Sequence, residues 1–195
     1  MSMEHKAFLF DSQKFHFEIE EVLNNCVDIK GKEYAIEYIN RNYHNLKSPY
    51  TGEELDEKWI NQIESENIQE YMDFILTACY DPNEEVGLAY TWEVLLEELR
   101  QMHVTSDAEQ WILGKSIVCN GVIIDPGAMG LGIVEAEDVP YIKNILIDSR
   151  DKLQPIEVRE TIYDLTTEEI IDAYEDLCNI YKLADEKGFG IMMTF

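Results

Sequence analysis

Thr166-Thr167-Glu168-Glu169 opens the segment that most restricts how this chain can fold. A Thr followed three residues later by Glu is the signature of a capping box, and Gly188 supplies a matching stop. Between them Ile170, Ile171, Tyr174, Leu177, Cys178, Tyr181 and Ala184 recur at helical spacing and line one face. A helix of that length with one apolar face has to bury it against a second layer. Residues 189–195 follow as an expected strand.

The same reading extends along the chain. Ala7-Phe8-Leu9-Phe10 predicts a short strand, and Asp11-Ser12 an N-cap for a helix carrying Phe15, Ile19, Val22 and Leu23. A second helix is expected from about Lys32 to Tyr43, and the segment 48–52, rich in Pro and Gly, is a turn by composition. Trp59, Ile60, Ile63, Ile68, Tyr71, Met72, Ile75, Leu76 and Cys79 form an apolar stripe that predicts helix, interrupted near Ser65 and ended by Asp81-Pro82-Asn83. Another helix presents Leu88, Trp92, Leu95, Leu96 and Leu99. Beyond it, 111–113, 116–119 and 122–124 read as extended, and Val139 to Ile147 as a helix with Pro140 in its first turn. The expected fold is α+β, predominantly helical with a small mixed or antiparallel sheet. One domain over 1–195 is expected, with 53–109 an acidic helical segment and 110–195 the α+β part.

Charge narrows the partner more than the fold. Forty acidic residues against fifteen basic ones give a formal charge of −25. Residues 53–109 hold sixteen acids and two bases, Lys58 and Arg100, for a local −14, which is more than half of the excess. Eleven Tyr, seven Phe and three Trp provide core bulk that a disordered acidic tail lacks. Such a field repels nucleic acid and anionic membrane and attracts basic surfaces. No run approaches the ~18 apolar residues needed to span a membrane. MSMEHKAFLF is too short an apolar stretch for a signal peptide, and the chain is expected in the cytoplasm.

Catalytic and metal signatures are absent from the sequence. There is no GxSxG elbow, HExxH pair, CxxC pair or DxDxDG loop, and His5, His16, His44 and His103 are scattered. Cys26, Cys79, Cys119 and Cys178 lie far apart among apolar neighbours and are expected as free, mostly buried thiols. No catalytic residue, metal or cofactor is assigned. The segment from Asp125 to Gly132 is the most glycine-rich loop. Its GxxGxG spacing is not the dinucleotide fingerprint, it lacks a P-loop Lys, and its acidic neighbours repel phosphate. Asp125, Gly127, Gly130 and Gly132 are therefore candidates for the rim of a pocket that takes an uncharged or cationic ligand; the plain alternative is a turn before a strand.

Residues 88–195 carry a resemblance. The Trp-centred helix 88–95, Leu113-Gly114-Lys115, Met129-Gly130-Leu131-Gly132 leading to Glu137-Asp138-Val139, and the terminal run from Tyr181 through Leu183-Ala184-Asp185-Glu186-Lys187-Gly188 to Phe195 are similar to the YfbM-like family of uncharacterised bacterial proteins. That family often has Pro-Ala-Arg after the glycines, where this chain has Ile133-Val134-Glu135, so the role of that Arg does not carry over. The resemblance implies a compact α+β domain and no established activity.

Together these features lead to a non-enzymatic acidic binding protein, an immunity or inhibitor type or a nucleic-acid mimic, acting on a basic protein partner. Contacts are expected from Glu53, Glu54, Asp56, Glu57, Glu64, Glu66, Glu70, Glu93 and Glu97, with Trp59 or Tyr71 as aromatic anchors. The alternative is a small-molecule-binding or hydrolytic enzyme with a pocket near 125–132. A third reading takes the charge as an aid to solubility or salt tolerance, which would spread the acids evenly. Oligomeric state is left open.

Overall fold

The structure, a computed structural model, describes residues 3–63, 67–102, 105–153 and 165–195. Its architecture is α+β, with helix over about half the chain and small antiparallel sheets. Strand β1 (Lys6–Phe10) leads into α1 (Ser12–Lys14), a π-helical stretch Phe15–Ile19 and α2 (Glu20–Cys26). Next come α3 (Gly31–Asn42), α4 (Ile68–Leu76), α5 (Trp92–Gln101) and α6 (Gln110–Leu113). A hairpin of β2 (Ile117–Cys119) and β3 (Val122–Ile124) precedes β4 (Leu131–Val134). The chain continues through α7 (Val139–Ser149) and α8 (Thr167–Lys187) to β5 (Gly190–Thr194).

β5 lies between β1 and β4 and pairs antiparallel with both. Side chains alternate across a pleated strand, so this sheet has two faces to cover. Phe8, Phe10, Ile133 and Met192 join a core under α2, α3 and α4, which also holds the hairpin residues Ile117, Cys119 and Ile124. Ala7, Leu9, Val134, Ile191 and Met193 join a second core with α5, α6, α7 and α8. The helices form a layer on each side of the sheet. The outer edge of β1 is not bare: backbone bonds tie Val86 to Ala7 and Ala89 to His5, so residues 86–89 cover it while crossing from one layer to the other.

α8 follows the sequence closely. The Thr166 hydroxyl accepts from the Glu169 N–H, the Glu169 carboxylate accepts from the Thr166 N–H, and Gly188 closes the helix with φ 70°. Two buried tyrosines of α8 are satisfied as well: Tyr174 donates to the Leu146 carbonyl at 2.6 Å and Tyr181 to the Trp111 carbonyl at 2.9 Å. Replacing an N-cap threonine costs about 1 kcal/mol. Thr166→Ala is therefore expected to lower the urea-unfolding free energy by about that amount, checked by equilibrium denaturation.

Three expectations change. Residues 111–113 are helical, because the turn closes on Gly114 at φ 69°, where a strand cannot continue. The acidic segment is not one helical stretch. Residues 53–58 form turns and extended backbone, a 3-10 turn follows at Trp59–Gln62, and regular helix is confined to α4 and α5. Leu88 precedes its helix, since Ala89 takes φ 47° and pairs with His5. Glu64, Glu66, Ser65 and His103 lie outside the described residues.

Candidate functional site

The face of the sheet that carries Phe8 and Met192 ends in the row Lys6, Thr194 and Leu131, which are directly paired across the three strands. Above that end the core does not fill, and a hollow of about 400 Å³ opens. One wall is the turn Tyr50-Thr51-Gly52, another is Asp73 of α4 with Tyr80 beyond it, and a third is the glycine-rich loop at Asp125, Gly127, Met129 and Gly130. A wider hollow of about 790 Å³, lined by Glu53 and Glu70, adjoins it along Tyr50, Thr51 and Pro126.

Gln69 fixes two of these walls to each other. Its side-chain amide donates to the Ile123 carbonyl at 3.0 Å, and its oxygen accepts from the Asp125 N–H at 2.9 Å. Asp73 lies one turn further along the same helix face. Asp125 in turn shapes its own loop by accepting from the Gly130 N–H at 3.1 Å. Two carboxylates from distant parts of the sequence are thereby held around one space.

Asp73 is the unusual member. It stands in Tyr71-Met72-Asp73-Phe74-Ile75-Leu76, where every other residue is buried. Among the described residues it forms no ion pair and accepts no hydrogen bond. Burial, with the neighbouring charge of Glu70 as a smaller cause, pushes its carboxyl from 3.8 up to about 7. Tyr80 beside it is pushed well above its ordinary range, by burial first and by the charge of Asp73 second. The cation lining the hollow, Lys6, is engaged by Glu85 at 3.0 Å. Aromatic surface comes from Phe8, Tyr80, Phe195 and Tyr50, of which Tyr50 is 57% exposed.

No protein-family model, curated protein or solved structure matches the chain.

The expected residues fall into three groups. Asp125, Gly127 and Gly130 line the first hollow, and Glu53 and Glu70 the second. Glu54, Asp56 and Glu57 are exposed beside Glu53 on the surface turn, where Asp56 accepts from the Lys58 N–H at 2.8 Å. Glu93 and Glu97 lie on α5 in the opposite helical layer, and Glu97 is occupied with Gln101 at 3.0 Å. Glu70 is itself buried rather than on an outer face, as is Glu98.

Gly132 is not at the rim. It is buried in β4, where a Cβ would stand 2.2 Å from the Leu113 carbonyl oxygen, so it is glycine to let the Leu113–Gly114 backbone cross the strand. Trp59 and Tyr71 are buried, with the Trp59 indole donating to the Asn40 side-chain oxygen at 3.0 Å, so neither is a surface anchor. The exposed aromatic beside the acids is Tyr50. Asp73 and Tyr50 are the residues that sequence reasoning passed over; the signal for Asp73 was a lone acid inside an apolar run.

Other chemistry is sparse. The four cysteines are unpaired, and burial pushes the Cys26 and Cys79 thiols up to about 12. Among the described residues no three His, Cys, Asp or Glu side chains converge as a metal site, and no helix is long and apolar enough to cross a membrane.

Proposed function

We propose that the protein is a non-enzymatic acidic binding protein, of the immunity or inhibitor type, that captures a basic protein. One observation carries this reading: the acids Glu53, Glu54, Asp56 and Glu57 are exposed together on one short surface segment, and Glu53 itself lines a hollow with Glu70 that adjoins a second one holding Asp73 and Asp125. Carboxylates lining a concavity focus the negative field, which raises the local concentration of a cationic partner and its rate of encounter. Turn and hollow together supply the grouping that a single helix cannot, since its same-face acids stand about 5–6 Å apart against one phosphate charge per ~1.7 Å of DNA axis. Direct binding of nucleic acid is disfavoured by the same field. The proposed kinship with the YfbM-like family brings no activity and does not narrow this reading.

Association with a basic partner is then expected to be steered and salt-sensitive. Neutralising the turn in Glu53→Gln, Glu54→Gln, Asp56→Asn, Glu57→Gln is expected to slow association by about tenfold or more at low salt. Stopped-flow mixing with a partner recovered from the native cell measures this. A partner that binds equally well at low and high salt, or with the four acids removed, rules the reading out.

A hydrolytic or other small-molecule enzyme at the same hollow is the second reading. The observation favouring it is Asp73, whose carboxyl is tuned to exchange a proton near neutral pH in a concave site. The two readings part on whether a bound ligand leaves chemically changed.

A further inference from the structure

We propose that the hollow between Asp73 and Asp125 seats a single organic cation, an ammonium or guanidinium group on an apolar stem, and that in a complex this group is a Lys or Arg side chain of the basic partner. The second clause rests on the function proposed above; the first does not.

Asp73 is the reason. A carboxylate only partly in contact with water, with no donor bonded to it, is stabilised by a cation or a proton brought beside it. Among the described residues it has neither an ion pair nor a hydrogen bond, yet it faces a hollow large enough for a side-chain-sized ligand. Asp125 supplies a second acceptor in the same lining, where its carboxylate accepts from the Gly130 N–H. Lys6 does not neutralise the pair, because Glu85 holds it.

The rest of the lining fits the stem and the face of such a cation. Phe8, Tyr50, Tyr80 and Phe195 offer ring faces or edges, and Pro126 and Leu131 add apolar surface. Ring faces attract ammonium and guanidinium, most strongly where water is excluded. Aliphatic stems of Lys and Arg lie along apolar walls while the head reaches its carboxylate. An anion meets two uncompensated carboxylates here. A bare metal ion finds no converging set of three His, Cys, Asp or Glu ligands among the described residues. Organic cations, with several N–H donors and some reach, suit two acceptors in one lining that is otherwise largely aromatic and apolar.

The test titrates the protein with n-butylguanidinium and n-butylammonium at low salt near pH 8, with N-butylurea as the neutral isostere, followed by amide NMR shifts and calorimetry. One saturable site is expected, with shifts at Tyr50, Thr51 and Asp125. Asp73→Asn is expected to weaken it about tenfold or more, and Glu186→Gln, at an exposed position of α8 in the far layer, to leave it unchanged. Circular dichroism verifies that both variants are folded. Absence of binding, equal binding of N-butylurea, or full binding by Asp73→Asn overturns the proposal. A six-residue arginine peptide separates the sources. If it competes with n-butylguanidinium, the side-chain assignment stands. If the small cation binds and the peptide does not compete, the seat stands for free amines or guanidines and the side-chain assignment falls. A peptide that binds with no dependence on Asp73 leaves the surface reading in place and removes the seat.

Discussion

Asp73→Asn is expected to be more stable than the native protein near pH 8, by up to about 4 kcal/mol, and to match it near pH 3. The sign follows from where the proton sits. The folded carboxyl titrates at about 7 and the unfolded one at 3.8. Below the lower value both states are neutral and the site costs nothing. Between the two the fold keeps a proton that the unfolded chain has released, so stability falls as pH rises. Above about 7 the fold carries the penalty, at most roughly 4 kcal/mol at ~1.36 kcal/mol per pH unit, and less to the extent that the half-buried carboxylate keeps its contact with water. Asn has nearly the same shape and never ionises. For a chain of this size about 4 kcal/mol corresponds to a rise in Tm on the order of 10 °C. Tyr80, Lys6, Glu85 and Asp125 line the same hollow and Glu70 the adjoining one, and all keep their identity in the variant. Calorimetric scans near pH 3.5, 5.5 and 8 measure the difference; an equal Tm for both proteins at pH 8 means the carboxylate is not strained.

The second large effect is hidden in the native protein. His5 is buried, and its ring is satisfied only when neutral: Nδ1 accepts from the Leu88 N–H at 3.2 Å, so Nε2 donates to the Ile112 carbonyl at 2.9 Å. Burial lowers its pKa from 6.5 to about 4, partly opposed by the Ile112 bond. The unfolded chain therefore binds a proton over this window that the fold refuses. Stability from His5 is complete above 6.5 and is lost as pH falls toward 4, about 3 kcal/mol in all. Asp73 slopes the other way over nearly the same range, so the two cancel in the native protein. In Asp73→Asn the acid slope of His5 is uncovered, and a fall of about 3 kcal/mol from pH 6.5 to 4 is expected. Adding His5→Gln removes that slope whatever its effect on the baseline. Urea titrations of the three proteins along pH give the slopes, and their differences cancel every other titrating group. A single variant with no acid slope sinks the assignment.

The sequence displays the outlines of this molecule better than its interior hollow. α8 was legible because its cap, stripe and stop are local features, each written within a few residues. β1 and β5 were legible as short apolar runs. Their arrangement was not, since the pairing of Ala7 with Met193 depends on contacts between distant segments. Helix α6 escaped because four residues give no period, and Trp111-Ile112-Leu113 reads equally as strand. The glycine-rich loop pointed to the right place through Asp125, but Gly132 was misassigned because glycine for ligand access and glycine for backbone crossing look alike in one dimension. Charge counting gave weight to every acid between 53 and 109 alike. Burial separates them: Glu53, Glu54, Asp56 and Glu57 are solvated, Glu70 and Glu98 are enclosed, and Asp73 lies between these extremes. Asp73 was invisible as a site because its other walls, Tyr50, Phe8 and Phe195, come from three remote stretches.

The placing of β5 has a consequence for how the chain assembles. A ribosome makes β1 and β4 first, and neither has the other as a neighbour; each pairs only with β5. Both helical layers thus emerge with their apolar faces turned toward a sheet that does not yet exist. Leu95, Tyr174 and Leu177 on one side and Met72 and Ile75 on the other have no shared wall until Gly190–Thr194 arrives. Pairings this remote in sequence carry a large loop-closure cost and form late. The hollow, whose floor includes Thr194 and Phe195, is therefore complete only after the last strand has slotted between its neighbours.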